Sequence, residues 1–306
     1  MGRALEPWGA SPILISHPRL TFEKFGYTYV VETKDGQSTY SVTDGSQTIT
    51  LPIRWSFGSG AQTWVLERDG VFYESLVSYY PSLDGLGITI GDFDILPRTL
   101  DQAMGRRLPP NEPVACFGCH STGSVKDGKL LTLESLEPGV TCEHCHAGAI
   151  SHMVSALQGE ATATVPPDLG KLTAEDLSDF CGQCHRTWET VIRGNWRGEL
   201  NVRFQPYRLA NSKCFSGADP RIRCIACHDP HKNLVVDTAA YDVKCLACHA
   251  LKGAAGTSRQ SNAKACPVQK NNCVSCHMPE VKLANGQATF HDHLIRIVKP
   301  GTPYPD

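Results

Sequence analysis

The sequence predicts two parts: an antiparallel β-domain, then a mostly irregular domain of short helices. Three observations predict this. Residues from about 20 to 97 contain no cysteine and alternate aromatic and β-branched runs with Asp-Gly pairs. Twelve of the 14 cysteines then fall in one motif, C-x-x-C-H, which recurs six times between Cys116 and His277. Hydrophobic content of 41% and charged content of 20% are those of a folded globular chain. No apolar run approaches the roughly 18 residues that span a bilayer. A formal charge of −2 provides no basic field for nucleic acid and no polybasic membrane patch.

Residues 1–19 read as an extended N-terminal arm. Prolines and a tryptophan interrupt every apolar cluster there, and no secretory h-region is present. Residues 20–108 read as the β-rich domain. Y-T-Y-V-V-E-T, Q-S-T-Y-S-V, Q-T-W-V-L-E-R and V-F-Y-E-S-L-V are its candidate strands. Asp35-Gly36, Asp44-Gly45, Asp69-Gly70 and Asp84-Gly85 are its turn signals. Trp55, Phe57 and Trp64 are either core residues or contacts of a binding face. Pro109, Pro110 and Pro113 mark a linker into the third part, residues 109–306, which ends in the proline-rich tail K-P-G-T-P-Y-P-D.

The first motif is Cys116, Cys119 and His120, and the second Cys142, Cys145 and His146. The third is Cys181, Cys184 and His185, and the fourth Cys224, Cys227 and His228. Cys245, Cys248 and His249 form the fifth, and Cys273, Cys276 and His277 the sixth. On a helical turn, residues i and i+3 share a face. Two thiols so placed can form thioethers to the two vinyl groups of one porphyrin, and the next residue, His, then points at the iron as proximal ligand. A zinc ribbon pairs its C-x-x-C units two by two, and a ferredoxin gathers four thiolates per cluster; neither requires His after every pair. The motifs therefore read as attachment sites for six c-type haems. At T-A-E-D-L-S-D-F-C-G-Q-C-H, Thr173 is a candidate N-cap with acidic residues in the first turn. Leu177, Phe180, Cys181 and Cys184 follow at helical spacing. Roughly 27 residues per motif are too few to enclose each macrocycle. The expected fold of this part is thus a multihaem cytochrome c domain with closely packed haems.

Six histidines remain for six distal positions: His17, His144, His152, His231, His291 and His293. His152 lies six residues after His146, too close to wrap round its own haem but able to reach a neighbouring one. His231 sits in C-H-D-P-H, where Pro230 stiffens the link. His291 and His293 point the same way in F-H-D-H-L-I-R-I, so one of them, rather than both, is the expected ligand. His17, between Ser16 and Pro18, is either a ligand or an ordinary residue, and His144 either a ligand or a partner for a propionate or solvent. Met153 and Met278 adjoin histidine ligands and read as packing residues, which leaves Met104 as the one methionine retained as an axial candidate. Cys214 and Cys266 lie outside the motifs and are expected to form a disulfide, since haem attachment takes place outside the cytoplasm. Closing that loop would contribute roughly 4 kcal/mol.

The stretches G-V-T-C-E-H-C-H with the trailing His152, C-H-D-P-H, C-V-S-C-H-M-P and D-H-L-I-R resemble the multihaem cytochromes c distantly related to hydroxylamine oxidoreductase. The likeness is nearest to bacterial multihaem modules often fused to tetratricopeptide repeats, and extends to W-S-F-G-S-G, Y-E-S-L-V-S-Y-Y-P and F-Q-P-Y-R-L-A. It covers residues from about 20 to 298, and the chain carries no such repeat. The resemblance implies that His152, His231 and His293 are distal ligands; His291 departs from its pattern.

Three function classes follow. The first is an electron-transfer protein with mostly or all bis-His haems, working with other redox proteins. The second is a reductase of a small nitrogen or sulfur oxyanion through one open haem. The third is a subunit of a polymeric extracellular filament or larger redox complex, with His17 donated to a neighbouring subunit. Electron transfer is the expected function. Haem attachment implies export to the periplasm or cell exterior, so the sequence is read as a mature chain or one lacking its export signal.

Overall fold

The computed structural model describes residues 1–7, 11–132, 136–160, 165–216, 221–249, 266–269, 271–283, 287–299 and 301–305. The chain divides into two compact units, Met1–Pro167 and Asp168–Asp306.

The first unit is built on antiparallel sheets. Its elements begin with β1 (Leu5–Pro7), α1 (Pro12–Ser16), β2 (Arg19–Lys24), β3 (Tyr27–Lys34), β4 (Gln37–Thr43) and β5 (Thr48–Pro52). They continue with β6 (Trp55–Phe57), β7 (Thr63–Arg68), β8 (Val71–Ser75), β9 (Val77–Tyr80), β10 (Gly85–Ile88), α2 (Leu100–Met104) and β11 (Gly105–Arg107). One sheet runs β2-β3-β4-β5, a second β1-β6-β7-β8-β11, and β9 pairs with β10. The strand period is visible in burial: Tyr29 and Val31 of β3, and Tyr40 and Val42 of β4, face one core with Trp64, Leu66 and Met104. Trp64 and Phe57 are therefore core residues, and Trp55 packs beside Phe117. Met104, at 0% exposure, is likewise core and is not placed to ligate a metal.

Asp35-Gly36 and Asp69-Gly70 have positive φ at both positions, the tight hairpin turn that Asp-Gly favours. Asp44-Gly45 turns differently, with Asp44 accepting from the amides of Ser46 and Gln47, both at 2.8 Å. The run V-F-Y-E-S-L-V is two strands rather than one. β8 pairs with β7 and β11, the chain breaks at Leu76, and β9 leaves to pair with β10.

Two expected boundaries move. Residues 1–19 are not an extended arm: β1 pairs with β6, and Leu5 and Leu14 are buried. Nor does a new unit begin at residue 109. Next come α3 (Glu112–His120), the two-residue strands β12 (Ser121–Thr122), β13 (Val125–Lys126), β14 (Lys129–Leu130) and β15 (Glu137–Pro138), then α4 (Cys142–Cys145) and α5 (Ala149–Leu157). All lie in the first unit. The reason is Phe117, which is fully buried with Leu5, Phe57, Val65 and Leu108. A helix that commits an aromatic ring to the sheet's core cannot belong to a separate domain.

The second unit consists of short helices: α6 (Ala174–His185), α7 (Trp188–Arg193), α8 (Gln205–Ala210), α9 (Cys224–Cys227), α10 (Asp242–His249) and α11 (Cys273–His277). A hairpin of β16 (Glu280–Lys282) and β17 (Thr289–His291) follows. Thr173 caps α6 as expected, its hydroxyl accepting from the Asp176 amide at 3.1 Å. The apolar cluster among the described residues is small: Val191, Phe204 and Tyr207. The C-terminal tail is tied down, with the Tyr304 ring 4.6 Å from the Arg208 guanidinium.

Candidate metal centres

All six motifs lie on helical turns. His120, His185, His249 and His277 end α3, α6, α10 and α11, while His146 and His228 immediately follow α4 and α9. The i, i+3 spacing of each cysteine pair on these turns puts both sulfurs on one helix face, as the chemistry requires.

The twelve motif cysteines form no disulfide and are unequally covered. Cys116 and Cys119 are both half-buried on α3, and Cys119 is close enough to bear on the charge of Cys116. Cys145, Cys181, Cys184, Cys224, Cys245, Cys248 and Cys273 are half-buried as well. Cys142, Cys227 and Cys276 are exposed. The sixth motif is thus split, with Cys273 half-buried and Cys276 open to solvent. The Ser275 hydroxyl donates to the Cys276 sulfur at 3.8 Å. The sequence spacing treats the two thiols of each pair alike; the packing around α11 covers only one of them.

Four of the motif histidines have Nδ1 engaged. His120 Nδ1 donates to the Ala4 carbonyl at 2.7 Å, His146 Nδ1 to Pro167 at 3.1 Å and His277 Nδ1 to Arg296 at 2.9 Å. His228 Nδ1 lies 3.4 Å from the Tyr241 hydroxyl, which itself donates to the Val235 carbonyl at 2.9 Å. A carbonyl only accepts, so Nδ1 carries the proton and Nε2 keeps its lone pair for a metal. Burial also holds the rings of His120 and His228 below the usual imidazole range, which favours the neutral, ligating form.

The remaining histidines separate into distinct settings. His293 faces His228 with ring centroids 6.1 Å apart. Its Nδ1 donates to the His291 carbonyl at 3.0 Å, and burial pushes its pKa down to about 4. His152 stands on α5 with its Nδ1 buried and unpartnered, an orphaned group of the kind a ligand satisfies. The helix that presents it is fixed to the second motif by Glu143, whose carboxylate accepts from the Gly148 amide at 3.0 Å and also from the Ile150 amide. His144 is half-buried on α4 between the two thiols. His231 is exposed, its Nδ1 3.4 Å from Asp229. His291 donates Nδ1 to the Met278 carbonyl at 3.0 Å, and its Nε2 lies 3.5 Å from Glu280.

His17 is engaged at both nitrogens. Nδ1 is 3.0 Å from the Ile13 carbonyl, Nε2 is 3.0 Å from Asp84, and the ring packs on Tyr79 with centroids 5.0 Å apart. It thus packs within the β-domain, with both ring nitrogens engaged inside the chain.

Although Cys214 and Cys227 are exposed as residues, desolvation at the sulfur raises their thiols, like those of Cys145 and Cys245, above the usual range, and that of Cys116 to about 11. Cys224 goes the other way, because Cys181 donates to it. The Cys245 and Cys273 thiols are also hydrogen-bonded to each other. The expected bond between Cys214 and Cys266 is not formed: both thiols are free and exposed. Cys214 lies instead among the motif thiols, where Cys245 and Cys248 bear on its charge. Tertiary packing has placed it beside sulfurs far from it in sequence.

These residues fit haem c. A thioether is uncharged, so sulfurs in surroundings that disfavour a thiolate suit thioether bonding better than ionic ligation. Among the described residues, no group of three or more His, Cys, Asp or Glu converges as a metal cluster would need. Sequence reasoning missed the partners of the motif imidazoles: Ala4, Pro167, Tyr241 and Arg296. Nothing local marks a carbonyl as a histidine's partner.

Residues 99–147 match the family model described as Cytochrome c554 and c-prime. That span contains the first two motifs, and it supports a c-type cytochrome, with haem as cofactor and electron transport as role. No curated relative and no solved structure matches the chain. No described helix is long and apolar enough to cross a membrane.

Proposed function

We propose that this c-type cytochrome is an electron-transfer protein with six covalently attached haems, mostly or all bis-His ligated, arranged so that electrons pass along a row. The observation that carries this reading is the His228–His293 pair. Their ring centroids are 6.1 Å apart, a spacing at which the two imidazoles would together hold one iron. When bound, haem supplies one-electron chemistry whose potential depends on axial ligands, burial and nearby hydrogen bonds. The chain's residues do the rest. The thiols would anchor the haem, the Nε2 atoms would ligate it, and the carbonyls bonded to Nδ1–H would fix ring orientation and raise ligand basicity.

The helices of the second unit favour a row in chain order. α6 packs on α9 and α10 on α11. Between them, Tyr241 reaches from the start of α10 to His228 after α9. These contacts support a row that follows the third to sixth motifs in sequence order. Covalent haem attachment takes place outside the cytoplasm, which supports a periplasmic or cell-surface protein.

Low-temperature EPR of the oxidised protein, with haem counted on the same sample, tests the proposal. Six haems, all low-spin, are expected. A high-spin signal that shifts on adding nitrite or hydroxylamine would instead mean an open iron and a reductase.

A further inference from the structure

We infer that the buried Arg208–Asp292 ion pair is a positioning device that orients imidazoles at two redox centres at once, His277 at one and His293, opposite His228, at the other. The inference rests on the haem reading above.

The pair is nearly sealed from solvent, with side chains 2% and 0% exposed. Arg208 grips Asp292 with both arms of its fork, Nε to Oδ1 at 2.8 Å and Nη2 to Oδ2 at 2.9 Å. Asp292 also accepts from Arg296 at 2.5 Å and from the Leu294 amide at 3.0 Å. Asp292 thus fixes the backbone from which His293 projects and the residue whose carbonyl receives His277 Nδ1 at 2.9 Å. Ser212, two residues past the end of α8, completes the hold. Its hydroxyl donates to the His293 carbonyl at 3.0 Å and accepts from the Ile295 amide at 2.8 Å.

A buried ion pair contributes little net stability compared with apolar packing, so its presence calls for another reason. Fixing a short segment that serves two irons is such a reason. The device also carries charge. Asp292 neutralises one of the two guanidinium charges of Arg208 and Arg296, so removing its charge leaves more net positive charge near these imidazoles, which favours the ferrous state.

The test uses full-length, haem-loaded protein and reads EPR g-values and a spectroelectrochemical titration. Asp292→Asn removes the charge while keeping the shape. Two of the six low-spin signals are expected to shift, with upward movement of two midpoint potentials and no change in the other four. Arg208→Lys keeps the charge but loses the fork, and should shift the same two signals. If Asp292→Asn loses haem, Ser212→Ala, which leaves the ion pair intact, should still shift the signal of the His228–His293 centre alone. Signals and potentials identical to the parent protein would overturn the inference, as would equal movement of all six. Haem count and spin state of the parent protein test the underlying haem reading separately.

Discussion

His17 and His293 look alike in sequence, each a spare histidine near a chain end, yet their neighbours give them opposite settings. His17 spends both nitrogens on Ile13 and Asp84. His293 spends only Nδ1, on the His291 carbonyl, and faces His228. His17→Ala should therefore leave every low-spin EPR signal unchanged, whereas His293→Ala should convert one iron to high spin. Asp92 gives a pH prediction at the same scale. Burial, then repulsion from Glu74, push its pKa up to about 6, against the attraction of Arg106, with Glu112 adding further repulsion. A carboxylate whose folded pKa exceeds its unfolded value binds more protons folded than unfolded, so stability falls as pH rises from about 4 to 6. Asp92→Asn should flatten that part of a Tm-versus-pH curve and stabilise the protein near pH 7, by at most about 3 kcal/mol.

Among the elements, α6 was the most legible. Its cap, acidic first turn and apolar stripe are all local, and Thr173, Leu177 and the sulfurs lie where helical spacing puts them. Thr173→Ala should cost about 1 kcal/mol, measured as a lower denaturation midpoint at unchanged haem content. The strands at Tyr27–Lys34 and Gln37–Thr43 were equally readable, because alternation and an Asp-Gly turn are short-range signals. The break at Leu76 was not. V-F-Y-E-S-L-V has unbroken strand propensity, and only the presence of two partners, β11 and β10, divides it between sheets.

At the scale of the whole molecule, apolar packing is unequal. The two larger buried clusters belong to the first unit, and the second unit's cluster among the described residues has three members. Four of the six motifs lie in that second unit. Porphyrins would then supply much of its interior, and folding would be linked to their attachment. A chain produced without haem attachment should keep the β-sheet circular dichroism of the first unit and lose residues 168–306 to limited proteolysis. A second unit equally resistant with and without haem would contradict this.

The sequence by itself determined how the two thiols and the imidazole of each motif are placed, since five residues span little more than one helical turn. It also determined the β-hairpins and the cap of α6, for the same reason of short range. Tertiary structure decided that His293 meets His228, where the first unit ends, and which groups the Nδ1 atoms of the imidazoles bond. Phe117 reaches back to Leu5, His293 across to His228, and Asp292 to Arg208. Contacts between residues dozens of positions apart depend on how the chain packs, and no local spacing encodes them.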